Sequence, residues 1–475
     1  MSYLMIQNAG VAPAEAYTML GVSTTRDCGV EGTIGQFGSG TKHAINVLLR
    51  AGLKFFIYCG PTKLEFFTKD ESVNDGLVSK TVQRVCVKFS GTSQKTLDLS
   101  WVVDFGSLDW TEIAMALREF VSNALDRTIR ENHGEFGPSI VSGDLAVCIV
   151  EEAKIKAKAG FTRVFIEASD DVYRYFGELP RRFLHFSNHP EHVRQTILLK
   201  ANRNLGESKT PMVYRCGVFV REIQGEKETS LYDYNFAAKD ITIDESRNSS
   251  DYSVRAACAK ALRSASADQL VPFLRSLTAM ESSFESGLDP YYLCSNCYEP
   301  SAKEKGNWSA AWTAVAGDAV LCGSHATVDF VARKGFTAKP ILAQNLVEPL
   351  GRLGIKTDTQ VLTSSEKKGH DKIEATPAAQ AAVNRVWGWI ENCHMTNGRA
   401  KPYVGSFRAI QSADAKLNGF CDEDGVFLEE SHASGLTKDV LQTALEECIH
   451  WCTGSGDKSR DLQEFAFRMI VEMAL

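Results

Sequence analysis

The residues best suited to chemistry are Glu119, Asn123 and Asp126 in the run EFVSNALD, residues 119–126. Glu119 and Asn123 stand four apart and Asp126 three further on, so a helix would carry them in one polar stripe between apolar neighbours. An amide oxygen is a hard ligand suited to Mg2+, and a nearby carboxylate can orient and deprotonate a water attacking a terminal phosphate. The same spacing also describes an ordinary solvated helix face. A second set lies earlier, in IGQFGSGTKHAI, residues 34–45. Gly35, Gly38 and Gly40 precede a helix, where unhindered backbone N–H groups and the positive helix end can cradle phosphates, with Thr41 and Lys42 beside them. The spacing is not GxxxxGK[ST], and no preceding strand with a distant acid supports a dinucleotide fold. Its plain alternative is a structural turn.

Two further constellations have metal-like spacing. Cys294, Cys297, Cys322 and His325 form CxxC followed by CxxH, which describes a tetrahedral Zn2+ site; AVLCGSHATVDFVA reads equally as a buried strand turning into a helix. Near the end of the chain, Glu446 and His450 are one helical turn apart, Glu447 stands beside them as a base, and Asp457 offers a third ligand. That segment resembles the HExxH metallopeptidases, with Glu446 where the first histidine belongs, a harder and weaker ligand for Zn2+. A structural, non-peptidase descendant is the alternative.

The two phosphate-directed motifs carry a family resemblance. EFVSNALD resembles the N-box helix of the GHKL ATPases, which include heat-shock chaperones, gyrase-like topoisomerases, MutL and microrchidia-type proteins and histidine kinases. IGQFGSGTKHAI is similar to their second glycine motif, and the preceding GVSTTR, residues 21–26, to the serine/threonine-plus-basic stretch leading into their mobile lid. The resemblance covers about residues 1 to 205. It implies a general base at Glu119, a Mg2+ ligand at Asn123, nucleotide contacts at Gly35, Gly38, Gly40, Thr41, Lys42 and Asp126, and an adenine-binding acid at Asp170 or Asp171. Two departures accompany it. The glycine motif precedes the N-box, as in a circular permutation, and Val172-Tyr173-Arg174 replaces the glycines of the DxGxG motif.

These motifs need elements to hold them. Apolar positions Ile113, Ala116, Leu117, Phe120, Val121, Ala124 and Leu125 predict a helix from Thr111 to about Asn132, and His43 to Leu49 a helix after the glycine stretch. Runs at 55–58, 64–67, 82–89 and 163–167 read as strands, the first three of an antiparallel sheet. The fold class expected is α+β and multidomain. The resemblances imply an N-terminal α/β sandwich of the GHKL (Bergerat) type over 1–205, a transducer-like β subdomain over 206–275 and a mostly helical, metallopeptidase-like domain over 372–475, with a small α/β domain read over 276–365.

Bulk properties bound the rest. The 475 residues carry a net charge of −7 with 44% hydrophobic and 23% charged residues, an ordinary folded composition without the basic field that would indicate nucleic acid. The opening MSYLMIQNAGVAPAEAY lacks the basic start and apolar run of a signal peptide, so a cytoplasmic location with reduced thiols and no membrane partner is expected. The family resemblance implies ATP binding with slow Mg2+-dependent hydrolysis, lid closure acting as a switch toward a protein client or a homodimer partner. The alternatives are a Zn2+-dependent hydrolase built on the C-terminal helix and a scaffold that senses nucleotide without turnover.

Overall fold

A computed structural model describes residues 1–21, 34–35, 38–74, 76–91, 94–131, 144–200, 210–223, 229–244, 247–363, 370–409, 417–455 and 460–474. The fold is mixed α+β with several sheets, and the chain forms two compact units, Met1–Cys258 and Ala259–Leu475.

The first unit is built on a seven-stranded sheet. Its strands are β1 (Ser2–Ala9), β2 (Phe55–Cys59), β3 (Thr62–Asn74), β4 (Ser79–Ser90), β5 (Lys95–Val102), β6 (Leu145–Glu151) and β7 (Phe161–Glu167). They run in the order β5-β4-β3-β2-β7-β1-β6, every neighbouring pair antiparallel. On β2 and β3 alternation gives one buried face: Ile57, Leu64 and Phe66 enter the core while their strand neighbours are more exposed. Val85, Val87 and Val164 join them from stretches of β4 and β7 buried on both faces. Two helices close that core. α1 is the short turn Glu15–Thr18, α2 spans Gly40–Arg50 and α3 spans Ile113–Glu131. From α2 come Ala44, Ile45, Val47 and Leu48; from α3 come Leu117, Phe120, Val121 and Leu125. The helix expected at 111–132 is therefore present and its apolar stripe is the one that is buried.

The position of α2 is fixed by polar side chains as well as by packing. Asn46 accepts from Trp101 Nε1 at 3.1 Å and donates to the Phe105 carbonyl at 3.0 Å. Arg50 donates to the carbonyls of Val103 and Trp110. Buried polar groups cost little only when their partners are supplied, so these bonds set the register of α2 against the β5–α3 connection.

After β7 come α4 (Asp170–Gly177), α5 (Leu179–Arg182) and a second, mixed sheet of β8 (Ile197–Leu199), β9 (Met212–Arg215), β10 (Val218–Glu222) and β11 (Tyr232–Phe236), ordered β10-β9-β11-β8. The β9–β10 hairpin turns on Cys216 and Gly217, both with positive φ, 50° and 74°. These strands belong to the first compact unit.

In the second unit, the helix Ala302–Ala316 starts at a Ser301/Glu304 capping box and buries Trp308 and Trp312. Strands Val320–Cys322 and Ala338–Pro340 pair in parallel around the helix His325–Arg333, the small α/β pattern read from the sequence. The C-terminal stretch holds helices Pro377–Asn392, Lys438–Thr453 and Arg460–Ala474, but also a four-stranded sheet of His370–Glu374, Val404–Ala409, Gly425–Glu429 and Gly419–Asp422. A mostly helical reading overlooks these strands because they run only 4 to 6 residues, too short for a clear alternation. Among the described residues no helix is long and apolar enough to cross a membrane.

Candidate functional site

The glycine motif and the acid–amide stripe converge on one cleft. It is lined by Gly35, Gly38 and Thr41 from the first motif, by Glu119 and Asn123 from α3, and by β1 and β7 residues including Asn8 and Thr162. Asn123 Nδ2 donates to Thr41 Oγ1 at 3.0 Å across 82 positions of sequence. The packing of α2 on α3 makes this approach: Gly40 opens α2, and a Cβ built there would lie 2.4 Å from Glu119 Oε1. A side chain at this position would push the carboxylate out of its present place.

Each predicted residue has a definite place. Glu119 is 7% exposed and borders the cleft, where Arg247 Nη2 donates to its Oε2 at 3.2 Å. Asp126 is 1% exposed and accepts the backbone N–H groups of Ile34 and Gly35 at 2.6 and 2.8 Å. Burial drives its carboxyl up to about 6, against the pull of those two donors and of Arg247. It tethers the start of the glycine turn to α3 instead of lining the cleft. Lys42 is likewise turned inward: it is 1% exposed, and its Nζ donates to the Gly38 carbonyl at 2.8 Å. Burial brings the Lys42 ammonium down to about 8, with the Glu119 charge opposing the shift. Asp170 begins α4 with an exposed side chain and is not among the residues lining the cleft; its neighbour Asp171 pairs with Arg174 at 3.1 Å. The GVSTTR stretch from residue 22 onward, like residues 36 and 37, lies outside the described residues.

Four lining residues were passed over in the sequence. Asn8, at the end of β1, donates from Nδ2 to the Ala9 carbonyl at 2.7 Å. Thr162 on β7 donates to the Gly10 carbonyl and accepts from Ala12 N–H, both at 2.8 Å, which binds the chain after β1 to the neighbouring strand. Arg127 and Arg130 extend the α3 stripe, and helical spacing from Asn123 was the signal that could have found them. For Asn8 the signal was Asn8-Ala-Gly10-Val-Ala12 at the end of a strand. The cleft thus carries two guanidinium side chains beside its acid and amide, and the end of α2 that faces it is the helix N-terminus, a favourable setting for an anionic ligand.

The other constellations stand as follows among the described residues. Cys322 is buried in its strand, His325 is exposed at the start of the next helix, Cys294 is buried and Cys297 exposed. Glu446 is exposed while Glu447 and His450 are buried, and His450 Nδ1 lies 2.6 Å from the Ser455 carbonyl; Asp457 is outside the described residues. Among the described residues, the group of three whose ligand atoms all come within 4.8 Å of one another is His189, Glu191 and His192, on a largely exposed turn.

No protein family matches this chain, and no curated protein or solved structure matches it.

Proposed function

We propose that the cleft between β1, β7, α2 and α3 binds ATP with Mg2+, and that the chain is a slow ATPase using nucleotide-driven closure as a conformational switch, with a pocket of the GHKL type. The observation carrying this reading is the convergence itself: Gly35, Gly38, Thr41, Glu119 and Asn123 line one cleft although the two motifs stand 82 positions apart. A pocket is assembled in space, so a permuted order of motifs is compatible with it. In this reading Asn123 ligates Mg2+ through its amide oxygen, Glu119 is the general base, and the glycine turn with Thr41 receives the phosphates. Asp126 and Lys42 act one step back, holding the turn in place.

The base end of the pocket is better assigned to Asn8 than to Asp170. Asn8-Ala-Gly10-Val-Ala12 repeats the spacing of DxGxG with Asn in place of the acid and Ala in place of the second glycine, and it borders the cleft. With Nδ2 donating to the Ala9 carbonyl, Oδ1 is the atom that would accept from an exocyclic amino group.

Titration with a non-hydrolysable ATP analogue and Mg2+, together with phosphate release, tests the reading. Glu119→Ala should keep analogue binding and cut turnover by about 10²–10⁴-fold, the usual worth of a general base. Asn123→Ala should weaken the Mg2+-dependent part of binding. Unchanged turnover in the first and unchanged Mg2+-dependent affinity in the second would remove these assignments; binding without phosphate release in the wild type would select the sensing scaffold instead.

A further inference from the structure

Glu119 is held by a residue far outside both motifs. Arg247 stands 128 positions further along the chain, and the two side chains meet as an ion pair in which each is only 9% exposed. The guanidinium is presented by a turn whose ends are tied: Asp244 N–H donates to the Asn248 carbonyl at 2.9 Å, and Asn248 N–H donates to Asp244 Oδ1 at 2.7 Å. Within it Arg247 has φ +64°, a left-handed backbone that a residue with a Cβ adopts only when its surroundings impose it. The first turn of α2 also lies against this carboxylate: a Cβ at Gly40 would stand 2.4 Å from Glu119 Oε1. Glu119 is therefore held by the Arg247 guanidinium while it packs against the first turn of α2.

The charges around it belong to three segments. Lys42 of α2, Arg118 of α3 and Arg247 are cationic, and Asp126 of α3 is the acid that shares their field. Lys42 is committed to the Gly38 carbonyl. Arg247 Nη2 donates to Glu119 Oε2, a charge-assisted bond that favours the rotamer the carboxylate keeps.

We infer that Arg247 is a positioning residue for the general base: it fixes Glu119 in one orientation at the edge of the cleft, and the hydrolytic site is incomplete without this segment beyond residue 205. This rests on the ATPase reading above. A general base works only when its oxygen is kept in line with the attacking water, so loss of the clasp should damage turnover more than binding.

The test uses the full chain, with Mg-ATP turnover and analogue affinity measured on wild type, Arg247→Ala and Arg247→Lys. Arg247→Ala should lose about tenfold or more in kcat while KM and analogue affinity stay within about threefold, since binding and base alignment are separable contributions. Arg247→Lys, which restores the charge without the planar fork, should recover part of the rate, as should added guanidinium ion with Arg247→Ala. A wild-type kcat in Arg247→Ala, or a kcat loss matched by an equal loss of bound nucleotide, overturns the inference. If Arg247→Ala does not fold, Arg247→Lys with fully wild-type kcat and no guanidinium dependence overturns it equally. A wild type that binds Mg-ATP without hydrolysing it overturns the positioning role and leaves the binding site standing; a wild type that binds no nucleotide overturns both, so the two failures are read from different proteins.

Discussion

Lys42 shows how burial changes the part a residue plays. Its position just after the glycine turn suggests a point charge on phosphate, yet the ammonium is enclosed and spent on the Gly38 carbonyl. Burial lowers its pKa to about 8, and this separates two effects of pH. The folded value lies below the unfolded one near 10.5, so between about 8 and 10.5 the unfolded chain holds more protons and the apo protein gains stability from this group as pH rises. Nucleotide affinity should move the other way. Above about pH 8 a positive charge behind the glycine turn is lost, at a cost of about 1 kcal/mol for a solvent-screened pair, or roughly fivefold in affinity. Analogue binding measured from pH 7 to 9.5 should fall across this window in the wild type and be flat in Lys42→Met. A flat wild-type profile would detach Lys42 from the nucleotide. At the same scale, the sequence made Glu119, Asn123 and the glycines legible because residue type and helical spacing suffice to mark them. It could not tell lining residues from those behind them: Asp126 and Lys42 face inward, and Asn8 lines the cleft although a lone Asn at a strand end carries little signal by itself.

At the scale of elements, long periodic segments were readable and short ones were not. The helix predicted from Thr111 to Asn132 is α3, and the strands expected at 55–58, 64–67, 82–89 and 163–167 are β2, β3, β4 and β7, because each carries enough apolar positions to set its period. The short C-terminal strands depend on pairing partners distant in sequence, which local periodicity does not encode. The second sheet of the first unit has a similar dependence, and one side chain controls it. Asn235 on β11 accepts the Gly217 N–H at 2.8 Å and donates to the Val193 carbonyl at 2.9 Å, joining the β9–β10 turn to the segment before β8. Asn235→Ala would leave the buried Gly217 N–H and the half-buried Val193 carbonyl without this partner and should cost about 1–3 kcal/mol in a urea melt. Gly217→Ala meets two obstacles, a φ of +74° and a Cβ 2.6 Å from the His185 ring, and should destabilise by at least about 1 kcal/mol. A urea midpoint unchanged by either substitution would show that this hairpin does not report on the stability of the unit.

At the scale of the whole molecule, the first unit is a single cooperative candidate for ligand stabilisation, because the cleft takes residues from β1, the glycine turn, α3 and β7, and Glu119 is clasped by Arg247 from near the end of that unit. A ligand that binds the folded state alone adds RT ln(1 + [L]/Kd) to its stability, about 2.7 kcal/mol at a hundred times Kd. An ATP analogue with Mg2+ at that concentration should therefore raise the unfolding transition of Met1–Cys258, and amide exchange should slow in β1, in α2 and along the 113–131 helix, elements separated in sequence but joined at the cleft. The sequence alone could propose this joining without placing it, since motifs 82 positions apart leave no local mark of which segments meet. Hydrogen exchange read segment by segment makes the distinction: extra protection of β1, α2 and the 113–131 helix beyond that of the other strands of the sheet is expected of one site spanning them, whereas protection confined to the glycine turn would mean that phosphate binds there without engaging the acid and amide of α3.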